Sequence, residues 1–141
     1  MRHKQLTDQG LMYLIKLKKL HCGRNQNFTD RILKHLDLVS LHCGWNENFT
    51  DDGLKYLINL RKLKCGGNIN FTDKGLFHLN LTCLECLRLN KKITYKSVIR
   101  MNGLTKLECG NNKELASYMF PCENPVDSFW PINNIIKYIS N

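Results

Sequence analysis

The sequence has no run of apolar residues long enough to act as a secretory signal or to cross a bilayer. Its N-terminus reads MRHKQLTDQG, and the leucine-rich stretch 11–20 is interrupted by Lys16, Lys18 and Lys19. A membrane helix needs about 20 consecutive apolar residues, and a signal peptide needs an apolar core of about 7–15 residues. We therefore expect neither a cleaved secretion signal nor an association with membranes.

Aromatic and acidic residues are both scarce. Phe, Tyr and Trp make up 9% of the 141 residues, which favours a core of aliphatic side chains. The 12 Asp and Glu stand against 21 Lys and Arg, for a formal net charge of +9. This excess permits binding to nucleic acids, anionic lipid headgroups or acidic protein surfaces, or it serves only solubility. The length fits one domain over residues 1–141.

The seven cysteines lack the even number and the paired spacing of a disulfide framework. Four of them recur at one position of a repeat, where a small buried side chain would serve. These four are Cys22, Cys43, Cys65 and Cys109. We therefore expect reduced thiols and an intracellular, cytoplasmic location.

Motifs for catalysis and for cofactor binding are also missing. The sequence has no phosphate-binding loop, no paired-carboxylate site and no serine-based triad. His21-Cys22 and His42-Cys43 place an imidazole next to a thiol, but neighbours on a strand point to opposite faces. The CxxC stretch at 83–86 lacks the second pair of ligands that a zinc site needs. We expect no enzyme and no cofactor.

What the sequence has in abundance is self-similarity. Three segments nearly coincide: LHCGRNQNFTD at 20–30, LHCGWNENFTD at 41–51 and LKCGGNINFTD at 63–73. Extended in both directions, they give the frame LxxLxCGxNxNFTDxGLxxL. Because self-similarity of about 20–25 residues is typical of stacked repeats, the frame predicts an array of such units. Its first Leu is assigned to Leu17, Leu38, Leu60, Leu84 and Leu104.

The ends of the array differ from its middle. A partial first repeat occupies 1–16, five repeats occupy 17–117, and 118–141 departs from the frame. In this last segment Pro131 begins a stretch with Ile at helical spacing, which, with Phe129 and Trp130, predicts an amphipathic helix that caps the array. The first layer has no comparable cap. Its edge strand predicts a monomer or a weak self-association, or a shortened relative of a longer array.

Each position of the frame has a physical role. In LxxLxC the second Leu and the Cys point to one side of a strand, and the residue between them points to the other. The Asn three residues after Cys can bond successive loops, although Lys92 holds that position in the fourth unit and predicts a break there. The Thr-Asp pairs predict N-caps of short helices. Stacked units would align the strands into a parallel sheet with one buried face.

The strand residues that face away from the core are predicted to form two largely basic columns. The central column is His21, His42, Lys64, Arg88 and Glu108. The preceding column is Lys19, Ser40, Lys62, Cys86 and Lys106. Such a face should attract an acidic strip on a partner. Trp45, in the loop column that follows Gly44, is a further contact candidate, unless its ring folds over Phe49 or a neighbouring loop.

His21 and His42 should lie roughly 5 Å apart on adjacent strands. Two imidazoles at that distance could share a transition metal. Lys64, and no third ligand, follows in the column. We interpret the two residues as an exposed histidine pair without a metal.

The frame LxxLxCGxNxxFTDxGLxxL resembles the cysteine-containing class of leucine-rich repeats, which is familiar from the substrate-binding arrays of F-box proteins. The near-identical units, rich in Asn and Lys, are similar to short leucine-rich repeat proteins of giant DNA viruses of amoebae. The likeness covers roughly residues 6–117. It implies an α/β solenoid with a parallel sheet on the concave face, short helices on the convex face and a role in protein–protein contact. For a viral protein it implies the host cytoplasm.

These patterns together predict a non-enzymatic module that binds a protein partner with an acidic surface on its basic face. The expected contact residues are Lys19, His21, His42, Lys62, Lys64, Arg88, Lys106 and Trp45. One alternative is binding of nucleic acid or another polyanion, although no aromatic row on the sheet supports base stacking. Another is a substrate-recognition or assembly subunit like the F-box arrays, although nothing here resembles the helical segment by which F-box proteins dock.

Overall fold

One short unit, a single-turn helix followed by a three-residue strand, recurs along the chain. The computed structural model describes residues 6–86, 90–109 and 115. Its helices are α1 (Asp8–Leu11), α2 (Asp30–Leu33), α3 (Asp51–Leu54), α4 (Asp73–Leu76) and α5 (Tyr95–Val98). Its strands are β1 (Lys19–His21), β2 (Ser40–His42), β3 (Lys62–Lys64), β4 (Cys83–Glu85) and β5 (Lys106–Glu108). The predicted α/β class is confirmed.

The described strands form one parallel sheet in the order β1-β2-β3-β4-β5. The register matches equivalent positions of successive repeats: Leu20 lies opposite Leu41, and Leu41 lies opposite Leu63. The ladder continues past the strand ends, where the Cys22 N–H donates to the His42 carbonyl at 3.0 Å. Each repeat therefore adds one strand beside the previous one, as in a solenoid-like array.

Threonine caps every helix from α2 to α5. The Oγ1 of Thr29 accepts a hydrogen bond from the Arg31 N–H at 3.2 Å, and Thr50, Thr72 and Thr94 cap in the same way. A four-residue helix is too short to persist alone, because nucleation is costly relative to one turn of hydrogen bonds. The predicted caps are confirmed, and contacts with neighbouring repeats must supply the remaining stability.

A row of aspartates supplies one of those contacts. Asp51 accepts from the Thr72 backbone N–H at 2.8 Å and from the Thr72 hydroxyl at 2.6 Å, so the carboxylate of one repeat holds the cap residue of the next. We call the set of such pairs the aspartate ladder; it comprises Asp8–Thr29, Asp30–Thr50, Asp51–Thr72 and Asp73–Thr94. Gly75 makes room for it, because a Cβ there would lie 2.2 Å from the Asp51 Oδ1.

Asparagines join the loops that follow the strands. The Asn46 Nδ2 donates to the carbonyls of Asn25 and Phe28, at 2.7 and 3.1 Å, and its Oδ1 accepts from the Asn48 N–H. Asn68 repeats this pattern one unit later and is fully buried. The predicted asparagine ladder is confirmed. It satisfies loop backbone groups that water cannot reach.

The core is one continuous aliphatic cluster with a single large plug in each layer, such as Phe49 and Phe71, both fully buried. The described cysteines carry free, buried thiols: Cys22, Cys43, Cys65, Cys83, Cys86 and Cys109. Burial raises the pKa of the Cys22 thiol to about 12, so it stays protonated at neutral pH. This cysteine acts as a small core residue and not as a nucleophile.

The fourth repeat corrects the frame assigned from the sequence. Leu84 pairs with Leu63 and stands where Leu87 was expected, a shift of three residues. Cys86 is fully buried, like Cys65 in the preceding repeat. The first Leu of this unit is therefore Leu81, which is also fully buried, and not Leu84.

Asn90 explains why this register is adopted. Its Nδ2 donates to the carbonyls of Asn68 and Phe71 at 2.9 and 2.7 Å, so it continues the asparagine ladder at 1% exposure. The expected register would place Lys92 in this buried position, where an ammonium would be costly. The predicted break in the ladder is therefore wrong; Lys92 is exposed, and its backbone N–H donates to the Asn90 Oδ1.

Two predictions fall outside the described residues: the capping segment 118–141 and the placement of Arg88. In β4 the residue opposite Lys64, where Arg88 was expected, is Glu85. In the described ranges, none of the helices is long and apolar enough to span a membrane.

Candidate functional site

The strand residues that point away from the core form what we call the sheet face, on which Cys83 and Glu85 of β4 are themselves buried. Its central column is His21, His42, Lys64, Glu85 and Glu108. Its preceding column is Lys19, Ser40, Lys62, Cys83 and Lys106. Two places therefore differ from the prediction, with Glu85 where Arg88 was expected and Cys83 where Cys86 was expected. The first difference replaces a positive charge by a negative one.

Glu85 lies at the centre of an ion-pair network. Its Oε1 is 2.6 Å from the Lys64 Nζ and 3.1 Å from the Lys106 Nζ, and Lys106 also pairs with Glu108 at 2.6 Å. Burial alone would raise the pKa of Glu85, but hydrogen bonds from the two lysines hold that pKa below its ordinary value. These two carboxylates balance the two lysines, so the β4–β5 half of the face offers little net charge to a partner.

The β1–β3 half keeps the positive charges of Lys19 and Lys62, while Glu85 balances that of Lys64. Six side chains form a two-by-three arrangement that we call the basic grid: Lys19, Ser40 and Lys62 in one row, His21, His42 and Lys64 in the other. Within the described part of the chain, neither Lys19 nor Lys62 has an ion-pair partner, and both side chains are exposed. The structure thus concentrates the basic character that was predicted for the whole face on three strands.

The histidine pair lies in the second row of the basic grid. The rings of His21 and His42 are 5.1 Å apart between centroids, and their planes are at 78°. Partial burial, His21 and Lys64 lower the pKa of His42, while Glu85 acts in the opposite direction. His42 therefore gains its proton at a lower pH than an ordinary histidine.

The positions of the histidines and cysteines bear on the metal and thiol hypotheses. The described residues contain no group of three or more His, Cys, Asp or Glu that could hold a metal ion. Cys22 is buried while His21 is exposed, as the alternation of a strand predicts. The CxxC stretch does split between core and sheet face, but Cys86 is the core residue and Cys83 lies on the face, the reverse of the register assigned from sequence.

Trp45 follows β2 and is held between the loops of neighbouring repeats. The Arg24 guanidinium lies 5.3 Å from the ring centroid, and a Cβ on Gly67 would come within 2.5 Å of the ring. Its backbone has φ 65°, a region that costs a residue with a Cβ about 1–3 kcal/mol. The Trp45 N–H donates to the Gly66 carbonyl, and its carbonyl accepts from Gln26. The residue as a whole still exposes 45% of its surface.

Glu85 was missed because two leucine frames compete in the fourth repeat. The segment LTCLEC at 81–86 aligns directly with LRKLKC at 60–65, and this match contains the signal that would have found it. The competing frame at 84–89 keeps the leucine spacing but loses both the buried cysteine and the ladder asparagine. Agreement at several frame positions is the better criterion.

The basic grid offers positive charge and hydrogen-bond donors on a rigid sheet, with an exposed aromatic ring in the adjacent loop. These groups can recognise an anion or an acidic segment. No protein-family model matches the chain, and a search of curated proteins gives no significant match.

Proposed function

We propose that the chain is a leucine-rich repeat protein of the cysteine-containing class and that it binds a protein partner without catalysing a reaction. Four recurring features support the first part: one parallel strand per repeat, a buried cysteine after the strand, the asparagine ladder and a short capped helix. In such solenoids the sheet forms the concave surface, and equivalent side chains of successive strands present a row to a ligand.

The basic grid is the observation that carries the binding proposal. Lys19 and Lys62 are exposed and free of ion pairs among the described residues, and they lie on β1 and β3, on either side of β2. Uncompensated charge on a rigid surface attracts an acidic partner and raises its association rate. Trp45 lies in the loop after β2 and supplies an aromatic anchor at the edge of this half.

Seven of the eight contact residues proposed from the sequence divide into two groups, and the eighth, Arg88, lies outside the described residues. Lys19, His21, His42, Lys62 and Trp45 form the proposed binding surface. Lys64 and Lys106 are committed to Glu85, so they contribute less to an acidic partner than their charge implies. A partner that is to recruit them must displace or share the carboxylate.

The test compares proteins captured from a native extract by the wild-type chain and by Lys19→Glu with Lys62→Glu. A control with the same charge change, Lys74→Glu with Lys96→Glu, alters exposed lysines of α4 and α5. The grid variant should lose the captured proteins, and the control should keep them. Capture that is equal in all three would place the site elsewhere.

Nucleic-acid binding is the second candidate, and the net charge of +9 favours it. Its affinity would fall steeply with salt, because phosphate contacts release counterions. A gel-shift series at low and high salt, together with capture from nuclease-treated extract, separates the two. No shift at low salt, with capture intact after nuclease, would exclude the nucleic-acid candidate.

A further inference from the structure

Ser40 is the smallest side chain of the basic grid, and we call the space above it, between its longer neighbours, the recess. Ser40 is short and half-buried, and it lies between Lys19 and Lys62, its partners in register on the two neighbouring strands. Strands in a sheet are about 4.8 Å apart, so the two lysine Cα atoms are roughly 10 Å apart with only a serine between them. The His21–His42 pair borders the recess along the strand direction.

We propose that this recess binds a phosphate monoester, the side chain of a phosphorylated serine or threonine on the partner protein. The inference rests on the proposed protein-binding function and names what the same surface recognises. The phosphate sits above Ser40, whose hydroxyl donates to one oxygen. Lys19 and Lys62 approach from either side, since each side chain can reach over the neighbouring strand.

The donors match a phosphate better than a carboxylate. A phosphomonoester carries about −1.5 to −2 charge at pH 7 and has three strong acceptor oxygens. The grid offers two unpaired ammonium groups, one hydroxyl and the N–H groups of two imidazoles. A glutamate or aspartate has one charge and two oxygens, so it leaves part of this donor set without a partner.

The distribution of charge beyond the grid favours a single anion over a polyanion. Glu85 and Glu108 follow in the central column, on β4 and β5. A nucleic acid that ran across the strands, with a phosphate about every 3.4 Å of each strand of a duplex, would bring further phosphates toward these carboxylates. An isolated phosphate on a peptide can occupy the grid without meeting them.

The test uses fluorescent peptide libraries with a fixed central residue and randomised flanks, titrated into the full chain and followed by anisotropy. The central residue is phosphoserine, serine or glutamate. We expect the phosphoserine library to bind at least about tenfold more tightly than the other two, since one charge-assisted hydrogen bond is worth about that factor. Inorganic phosphate should displace it.

Two variants connect the preference to the recess. Ser40→Val fills the recess and removes the Ser40 hydroxyl, while valine preserves the strand propensity. This variant should lose the preference for phosphoserine over serine. Lys19→Gln with Lys62→Gln should weaken phosphopeptide binding about tenfold or more, while Lys74→Gln with Lys96→Gln should not. Circular dichroism and the urea midpoint confirm that each variant is folded.

Each other outcome overturns the inference in a distinct way. If the three libraries bind equally well and their binding still depends on Lys19 and Lys62, the proposed protein-binding function stands and the proposed recognition of phosphate is refuted. If no library binds, the proposed recognition of phosphate is also refuted. The capture experiment with native extract then tests the protein-binding function separately. Tighter, grid-dependent binding of a single-stranded oligonucleotide would assign the surface to nucleic acid.

Discussion

At the scale of single residues, the glycine of the FTDxGL segment is fixed by its neighbour and not by its own helix. Gly75 is in α4, where alanine would ordinarily be preferred by about 1 kcal/mol. Its missing Cβ leaves space for Asp51, which would otherwise be 2.2 Å away. The equivalent Gly10 has no preceding aspartate in the described chain and meets only the Leu6 side chain, at 3.4 Å.

These two glycines give opposite predictions. Gly75→Ala should lower the free energy of unfolding by about 1 kcal/mol, because Asp51 must shift from its present place beside Thr72. The cost is limited, since Asp73 still bonds Thr94 in the next repeat, where Ser97 has a Cβ at the equivalent position. Gly10→Ala should be neutral or should stabilise α1 by up to about 1 kcal/mol. Urea unfolding of both variants measures these changes in the free energy of unfolding. A loss of stability in Gly10→Ala equal to that in Gly75→Ala would contradict the explanation.

His42 provides a residue-scale test of the electrostatics. Lys64→Gln should raise the pKa of His42, because it removes a positive charge that opposes protonation. Glu85→Gln should lower that pKa further, because it removes a carboxylate that favours the imidazolium. NMR titration of the imidazole protons reads both shifts. Lys74→Gln, on α4, is the control and should leave the His42 titration unchanged.

At the scale of elements, the asparagine ladder replaces the regular hydrogen bonding that loops lack. Asn68 makes two donor bonds to Asn46 and Phe49, and its Oδ1 accepts from Asn70 and Phe71. Asn25, at the first loop, is only half-buried and donates to Leu6. Equivalent residues of the ladder therefore contribute unequally, and the buried ones contribute most.

Asn68→Ala should destabilise the protein by about 3 kcal/mol, since it leaves buried carbonyl and N–H groups without partners. Asn25→Ala should cost about 1 kcal/mol, because water can replace its bonds. Chemical unfolding monitored by tryptophan fluorescence and by circular dichroism checks the difference. Equal costs at the two sites would show that burial does not set the strength of the ladder.

Most of the fold was predictable because three repeats agree at many positions. The strands, the capped helices and the buried cysteines all follow from one frame, and each is present in the structure. The fourth repeat was assigned wrongly, because Leu84 fits two leucine registers. The match of LTCLEC to LRKLKC favours the correct one, and the burial of Cys86 and Asn90 confirms it. The aspartate ladder also escaped prediction: a Thr-Asp pair indicates a local cap, and its link to the next repeat exists only after stacking.

At the scale of the whole molecule, the face is divided by one buried carboxylate. Glu85 neutralises Lys64 and, with Glu108, Lys106, and thereby confines the basic character to the first three strands. The position of the candidate site on the sheet therefore depends on the corrected register of the fourth repeat more than on the composition of the chain. The net charge alone would suggest a uniformly basic surface.

Glu85→Gln should extend the basic region across the sheet, because it frees both lysines from their shared partner. The variant should elute from an immobilised polyanion at higher salt than the wild type. Asp52→Asn makes the same change of net charge on α3, where Asp52 pairs with Lys55 away from the sheet, and should shift elution less. An equal shift in both would mean that only total charge matters.

Both side-chain ladders have a direction. Each asparagine donates to carbonyls of the preceding unit, and each ladder aspartate accepts from the threonine of the following one. In these two ladders a unit thus presents donors backward and acceptors forward, so the ladder residues of one copy complement those of the next. Such a gene can lengthen by duplicating whole segments, since a new unit brings both complementary ladder surfaces with it, although a unit placed after Trp45 must keep the glycine equivalent to Gly67.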